Sequence, residues 1–129
     1  MATMRREIWI DRPADEVWAV VGHPAAVTKW FPQMTEVKVE GDRRIVTLAS
    51  GLDLVERVAV RHDLRRFQYR LEGPLPIEYH QASIDVIPDG EGRSLVIYST
   101  DVVPHALAPV LDGAVGDALV SLKQMLETE

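Results

Sequence analysis

Hydrophobic and polar residues alternate along most of the chain between residues 35 and 103. Six segments of this region have the period of two that indicates a strand with one buried face. The breaks between them contain residues that favour tight turns: Gly41-Asp42, Gly51, Asp63, Gly73-Pro74 and Pro88-Asp89-Gly90. Residues 4–11 alternate in the same way. The pattern therefore predicts about seven strands, joined mainly as antiparallel hairpins.

Three other segments have features of helices. After the first strand, "DRPADEV" combines a proline with the acidic residues that favour a helix N-terminus, which predicts a short helix to about Gly22. The segment "HPAAVTKWFPQM" predicts a second short helix that Pro32 ends, because proline donates no hydrogen bond. Between Leu107 and Leu126, apolar residues recur every three or four positions, so one long amphipathic helix is predicted.

The order of these elements is one strand, two short helices, six strands and one long helix, which predicts an α+β fold. A twisted antiparallel sheet can curl around a long helix, with its apolar side concave and its polar side in solvent. The length of 129 residues corresponds to one domain, residues 1–129. We therefore expect a single domain in which the sheet curves around the C-terminal helix.

One carboxylate falls on the apolar side of the predicted sheet. In "LDLVERVAV" one set of alternate residues is more apolar than the other, and this set includes Glu56. Arg57 and Arg61 have the opposite parity, so they lie on the other face of the strand and are expected to face solvent. In the next two strands the same face receives Tyr69 and, on a less distinct pattern, His80. The concave face is therefore expected to collect Glu56, Tyr69 and His80, with His80 as the one nearby group that could pair with the carboxylate.

Two interpretations of Glu56 stay open. In the first, Glu56 lines a ligand cavity and acts as a general acid or base, because burial raises the pKa of a carboxyl group toward neutrality. In the second, Glu56 is a structural carboxylate that pairs with an arginine or binds a helix end. The two interpretations differ in whether the substitution of Glu56 changes a reaction or only the stability of the fold.

Composition and charge exclude several classes of function. The chain has no cysteine, so it has neither disulfides nor thiolate metal sites nor thiol nucleophiles. A net charge of -6 disfavours nucleic acid as a partner. The histidines are scattered without ligand spacing, so no metal or other cofactor is expected. There is no run of about 18 apolar residues and no apolar N-terminal segment of signal-peptide length, so we expect a cytoplasmic protein without stable membrane insertion.

Three features resemble the START/polyketide cyclase superfamily, also called SRPBCC: the opening "IDRPADEVWAVVGHPAAVTKWFP", the late hairpin "VIPDG" and the long final helix. The resemblance covers essentially the whole chain and implies the helix-grip fold, which the birch-pollen allergen shares. Members of this superfamily bind lipids, sterols, polyketides or plant hormones between sheet and helix, and some are aromatases, cyclases or dehydratases. The resemblance thus implies a ligand cavity beneath the long helix.

On this fold, Glu56 and Tyr69 are the candidate catalytic residues. Glu56 would move a proton, and the hydroxyl of Tyr69 or Tyr98 would hold a carbonyl group. The candidate ligand-binding residues are Trp30, Phe31, Phe67, His80, Tyr98, Val115 and Leu119. The cavity itself is expected to be bounded by Trp30, Glu56, Tyr69, Tyr98, Val115 and Leu119. One member of the Trp30-Phe31 pair is expected instead to be a hydrophobic plug between helix and sheet.

The leading functional prediction is the binding of a small hydrophobic molecule, polyketide- or lipid-like, with polyketide cyclase or dehydratase activity as an extension of it. Some cyclases of the superfamily place an arginine in the pocket, and the outward parity of Arg57 and Arg61 argues against chemistry by that route. The alternatives are a non-catalytic carrier or sensor of a hydrophobic ligand, and a protein-interaction module like the superfamily's co-chaperone or antitoxin relatives. A closed, strongly polar interior would favour the interaction module.

Overall fold

Seven strands and three α-helices make up the structure, a computed structural model that describes residues 1–74 and 76–128. The strands are β1 Ala2–Ile10, β2 Met34–Glu40, β3 Arg43–Leu48, β4 Asp53–Arg61, β5 Arg66–Gly73, β6 Tyr79–Pro88 and β7 Ser94–Val103. The helices are α1 Ala14–Val21, α2 Val27–Trp30 and α3 Ala108–Glu127, with short 3-10 helices, Pro24–Ala26 and His105–Leu107, before α2 and α3. The predicted order of elements is confirmed.

The strands form one antiparallel sheet in the order β1-β7-β6-β5-β4-β3-β2. From β2 to β7, each strand pairs with its neighbours in the sequence. Strand β1 lies beside β7 at one edge, and the segment with α1 and α2 carries the chain across to β2 at the other edge. This seven-stranded sheet with a long C-terminal helix is the helix-grip fold that the sequence predicted.

The predicted parity is confirmed on the three central strands that carry the candidate site. On β4, Glu56 is buried, whereas the side chain of Arg57 is 45% exposed. On β5, Tyr69 is buried, and on β6 His80 is buried together with every second residue as far as Val86. The concave face therefore combines an apolar surface with a few buried polar groups.

The long helix α3 closes one side of the concave face. Its buried side is an apolar stripe: Val115, Ala118, Leu119, Leu122 and Leu126. The helix packs most extensively on β1, where Arg6 forms a two-point ion pair with Asp112, Nε–Oδ1 2.9 Å and Nη2–Oδ2 2.7 Å. Near its C-terminus, the ammonium of Lys123 donates to the carbonyl oxygen of Trp9 at 2.6 Å. These contacts fix α3 over β1, at one edge of the sheet.

The segment His105–Glu127, which includes α3, is long and apolar enough to cross a membrane by length and composition alone. The central helix of a soluble domain can pass the same test. The sequence-based expectation rested on the lack of a continuous apolar run, and charged residues do interrupt this one, among them Asp112 and Lys123. In this fold the apolar stripe of α3 packs against the sheet as part of the core.

Gly22, which follows the last residue of α1, lies directly against the indole ring of Trp18. A Cβ atom at this position would lie less than 3.0 Å from atoms of the ring, which belongs to the hydrophobic core. We expect Gly22→Ala to lower the free energy of unfolding by about 1–3 kcal/mol, because overpacking forces core side chains out of their preferred rotamers. Urea denaturation followed by circular dichroism measures the change.

Gly113 in α3 provides the control for this substitution. A Cβ atom at Gly113 has no neighbour within 4 Å. We expect Gly113→Ala to stabilise the protein by up to about 1 kcal/mol, because alanine has the higher helix propensity. If both alanine variants changed the free energy of unfolding equally, the contact with Trp18 would not be the cause.

Candidate functional site

A cavity of about 440 Å³ lies between the concave face of the sheet and the first turns of α3. Among the described residues it is lined by Phe31, Gln33, Met34, Leu48, Leu54, Glu56, Tyr69, Leu71, His80, Thr100, Pro109, Val110, Leu111, Gly113, Ala114 and Val115. Most of these side chains are apolar. The exposed lining residues Gln33, Pro109, Val110 and Gly113 mark its mouth, and the buried residues Glu56, Tyr69 and His80 mark its inner end.

The inner end of the cavity contains a buried ion pair between Arg44 and Glu56. The two residues are direct cross-strand partners in the β3–β4 hairpin, and both are almost completely buried. Oε1 of Glu56 accepts a hydrogen bond from Arg44 Nε at 2.7 Å and lies 2.6 Å from Nη2. Nη1 of Arg44 donates to the carbonyl oxygen of Pro24 at 3.1 Å, and the guanidinium lies 4.9 Å from the centre of the Phe67 ring. The charge of Arg44 is therefore neutralised inside the fold by Glu56.

Only one carboxylate oxygen of Glu56 takes part in this ion pair. Within the described part of the chain, Oε2 is buried and has no hydrogen-bond partner. Burial raises the pKa of Glu56 above its ordinary value, and the positive charge and hydrogen bond of Arg44 oppose this rise. Glu56 therefore combines an acceptor oxygen that the protein leaves unused with a carboxyl group that protonates more readily than usual.

His80 lies at the same end of the cavity, and it is neutral near pH 7. Burial lowers the pKa of His80 to about 4, and the carboxylate of Asp101 opposes this effect. Nδ1 accepts a hydrogen bond from the backbone N–H of Leu71 at 3.2 Å, so the proton of the neutral ring lies on Nε2. The expectation that His80 is the cation beside Glu56 is therefore wrong, because desolvation keeps the imidazole uncharged and Arg44 supplies the positive charge.

Two tyrosines are hydrogen-bonded to each other through their hydroxyl groups at the inner end. The hydroxyls of Tyr69 and Tyr98 are in direct contact, with the rings at 88° to each other. Burial raises the pKa of both phenols, and the nearby charge of Glu56 raises it further. Both hydroxyls are thus neutral, and one of the two protons is used in the bond between them.

Five of the predicted site residues line the cavity. They are Phe31, Glu56, Tyr69, His80 and Val115. The cavity lies beneath residues 109–115, the first turns of α3, and residues of β2 to β7 form the opposite wall. Of the aromatic pair at the end of α2, Phe31 lines the cavity and Trp30 is packed in the core, which agrees with the expectation that one of the two is a hydrophobic plug.

Four other predicted site residues are buried in the core and do not belong to the cavity lining that the described residues form: Trp30, Phe67, Tyr98 and Leu119. Leu119 lies one helical turn beyond Val115, where α3 is already packed against the sheet. Phe67 lies under the guanidinium of Arg44. Tyr98 is on β7, and its hydroxyl is hydrogen-bonded to that of Tyr69, which lines the cavity. These side chains support the cavity wall and do not form its surface.

Arg44 is the site residue that the sequence interpretation missed. The pair Arg43-Arg44 directly follows the Gly41-Asp42 turn, and neither residue is among the predicted site residues. The structure starts β3 at Arg43, which gives Arg44 the same inward parity as Val46. Arg57 and Arg61 do face solvent, as predicted. The buried arginine at this site therefore comes from β3, and it pairs with Glu56 without being one of the residues that line the cavity.

Residues 1–127 match the sequence model of a family described as polyketide cyclase/dehydrase and lipid transport. The chain belongs to this family. None of the curated proteins compared with the chain matches it. The match spans nearly the whole sequence, and it agrees with the superfamily to which the opening helix signature and the final helix pointed.

Several solved structures have the same fold as this family member. The protein XoxI from Bacillus cereus superposes with a TM-score of 0.91 at 24% identity, over 97% of this chain and 95% of that one. One unit of the di-domain aromatase/cyclase BexL from the BE-7585A biosynthetic pathway gives a TM-score of 0.85 at 22% identity, over 98% of this chain and 47% of that one. Norcoclaurine synthase from Thalictrum flavum gives 0.76 at 18% identity, over 98% and 94% of the two chains. At these identities the similarities establish the helix-grip fold.

Proposed function

We propose that this protein binds a small, largely apolar molecule of the polyketide or lipid type in the cavity beneath α3. The observation that carries the proposal is the cavity itself, about 440 Å³ in volume, with mostly apolar walls and a few buried polar groups at one end. Cavities of this size and composition are typical of small-molecule sites. The family description, which names polyketide cyclases and lipid transport, supports the same class of ligand.

The substitution Val115→Trp tests this proposal by filling the cavity. Val115 is 6% exposed and lines the cavity, and an indole at this position would take up part of its volume. We expect the variant to bind an environment-sensitive apolar dye about 10-fold more weakly than the wild type, a loss comparable to that of one well-buried apolar group. Dye fluorescence measures the affinity, and native mass spectrometry identifies molecules that co-purify with the wild type.

Val120→Trp is the matched control on the same helix. Val120 is 49% exposed and lies outside the cavity lining of the described residues. Its replacement is expected to leave dye affinity unchanged. Thermal unfolding of both variants separates loss of binding from loss of fold. Equal dye affinity of wild type and Val115→Trp would show that the dye does not occupy this cavity.

A second candidate function is proton transfer in the cavity, as in a polyketide cyclase or dehydratase. The observation that favours it is the free Oε2 of Glu56 in a cavity that Tyr69, whose hydroxyl is neutral, also lines. In an aldol-type cyclisation, Glu56 would remove a proton from the carbon beside a substrate carbonyl. The resulting enolate would attack a second carbonyl carbon, and the proton would return to the alkoxide. Tyr69 would donate a hydrogen bond to the carbonyl oxygen on which negative charge develops.

The alternatives of a carrier and of an interaction module differ in what they require of the interior. A non-catalytic carrier or sensor needs the same cavity and no reaction, so turnover measurements separate it from a cyclase. An interaction module would be favoured by a closed, strongly polar interior. The cavity described here has an exposed mouth and mostly apolar walls, which supports ligand binding over the interaction module.

A further inference from the structure

The inner end of the cavity offers one strong hydrogen-bond acceptor that the protein does not use. Oε1 of Glu56 is held by Arg44, whereas Oε2 is buried and has no partner among the described residues. A buried charged oxygen without a hydrogen bond is costly, so native structures rarely leave one unsatisfied. Glu56 lines the cavity, and a molecule bound there can supply the missing donor.

The electric charge at this end of the cavity is balanced before any ligand binds. Glu56 is the one acidic or basic residue among the described cavity-lining residues apart from His80, and Arg44 neutralises it. The imidazole of His80 is uncharged near pH 7, since burial lowers the pKa of His80 to about 4. The phenol of Tyr69 is also neutral. A ligand group that brings its own charge would therefore leave a net charge buried in an apolar cavity.

We propose that the ligand carries a neutral hydrogen-bond donor, an alcohol or phenol hydroxyl, that donates to Oε2 of Glu56. The apolar body of the ligand then extends toward the mouth of the cavity at Gln33 and Val110. This inference rests on the proposed function and narrows its ligand class to hydroxyl-bearing apolar molecules. Oε2 exposes less than 1 Å², so the lining side chains must shift slightly to admit the donor, and a hydroxyl, the smallest common donor, requires the smallest shift.

Other head groups match this position less well. A ligand carboxylate would meet the negative oxygen of Glu56 without a free cation nearby, because Arg44 already uses its guanidinium on Oε1 and on Pro24. An ammonium group would leave the Arg44-Glu56 pair with one uncompensated positive charge. A methyl ether lacks the donor and would leave Oε2 unsatisfied. The selectivity should therefore be hydroxyl over ether and over carboxylate.

Three naphthalene derivatives of similar shape test this selectivity: naphthol, methoxynaphthalene and naphthoic acid. Their binding to the wild-type protein at pH 7 is measured by intrinsic fluorescence or calorimetry. We expect naphthol to bind at least about 10-fold more tightly than methoxynaphthalene, because hydrogen bonds to charged groups are among the strong ones. Burial of apolar area alone predicts the opposite order, since the ether is the more hydrophobic of the two. Naphthoic acid is expected to bind most weakly.

Two variants identify the site at which the probes bind. Val115→Trp is expected to weaken binding of naphthol and methoxynaphthalene alike, because it fills the cavity. Glu56→Gln is expected to remove the preference for naphthol, because the amide oxygen faces Arg44 and an NH₂ donor replaces the acceptor Oε2. If Glu56→Gln fails to fold, the wild-type comparison of naphthol with methoxynaphthalene still decides the question.

The outcomes separate this inference from the proposed function. If none of the probes binds, or if Val115→Trp leaves their binding unchanged, the proposed function fails and the inference with it. If the probes bind in the cavity and methoxynaphthalene binds as tightly as naphthol, the proposed function stands and the inference is overturned. In that case water or a tyrosine hydroxyl satisfies Oε2. A preference for naphthol that Glu56→Gln abolishes supports the inference.

Discussion

Arg44→Met is expected to lower the free energy of unfolding by about 3–5 kcal/mol, because it leaves the carboxylate of Glu56 buried without its cation. The wild-type guanidinium contacts Oε1 through two nitrogens and also holds the carbonyl oxygen of Pro24. Methionine keeps much of the apolar stem and removes the charge, these hydrogen bonds and the contact of the guanidinium with the Phe67 ring. Urea denaturation at pH 7 measures the loss.

Arg57→Met is the matched control, because Arg57 neighbours Glu56 in the sequence and lies on the opposite face of β4. Its side chain is 45% exposed and pairs with Asp42 and Glu72 in solvent. Exposed ion pairs typically contribute less than about 1 kcal/mol, so this variant should be close to the wild type. The double variant Arg44→Met/Glu56→Leu is expected to recover most of the lost stability. If the two single variants were equally stable, the buried pair would have no special role.

The pH dependence of Arg44→Met follows from the pKa of Glu56. Burial raises this pKa even beside Arg44, and removal of the cation takes away the effect that opposes the rise. A carboxyl group with a raised pKa in the folded state favours folding below its ordinary value of 4.5, and this contribution is lost as the pH rises through the folded pKa. The difference in stability between wild type and Arg44→Met should therefore be small below pH 4.5 and should grow as the pH rises through the folded pKa of Glu56.

The sequence predicted the fold because each element carried its own signal. Six consecutive segments with period two, separated by short breaks that contain turn-favouring residues, allow little besides a meandering antiparallel sheet. A helix with an apolar stripe from Leu107 to Leu126 then has only the concave face of that sheet to cover. Parity within a strand is also local information, and it placed Glu56, Tyr69 and His80 on the inner face.

The ion partner of Glu56 could not be read from one strand alone. It depends on the register of the β3–β4 hairpin, which places Arg44 directly opposite Glu56. One signal did exist: Arg44, Val46 and Leu48 are alternate residues of the same strand, so the face that buries Val46 also receives Arg44. The sequence analysis placed the pair Arg43-Arg44 beside the turn and did not assign Arg44 to the inner face of this strand.

The boundary of the cavity could not be read from the sequence either. Val115 and Leu119 lie on the same face of α3, and the apolar spacing of three and four residues does not distinguish them. Which of them lines the cavity depends on how α3 packs on β1. In the structure Val115 lines the cavity, whereas Leu119 is packed in the core. The same holds for Trp30 and Phe31, which are adjacent in the sequence, although Phe31 lines the cavity and Trp30 does not.

Glu56→Gln is expected to lower the turnover of a polyketide-like substrate by about 100-fold or more, because a positioned proton transfer contributes on the order of 10²–10⁴ in rate. The amide keeps the size of the side chain and cannot accept the proton that Oε2 would take. Turnover is measured as kcat at saturating substrate, so that a weaker affinity for the ligand hydroxyl does not enter the comparison. The kcat of the wild type should rise with pH as Glu56 loses its proton, with a midpoint above the ordinary pKa of 4.5.

Glu72→Gln is the matched control, because Glu72 is a carboxylate on the outer face of β5 that pairs with Arg43 and Arg57. The kcat of the Glu72→Gln variant and the dependence of this kcat on pH should equal those of the wild type. A catalytic Glu56 requires that Glu56→Gln lose both the rate and the pH-dependent rise while the protein still binds its ligand. If the variant keeps its turnover and only its thermal stability changes, Glu56 is a structural partner of Arg44. The cavity would then belong to a carrier or sensor, since the proposed proton transfer has no other carboxylate among the described residues that line it.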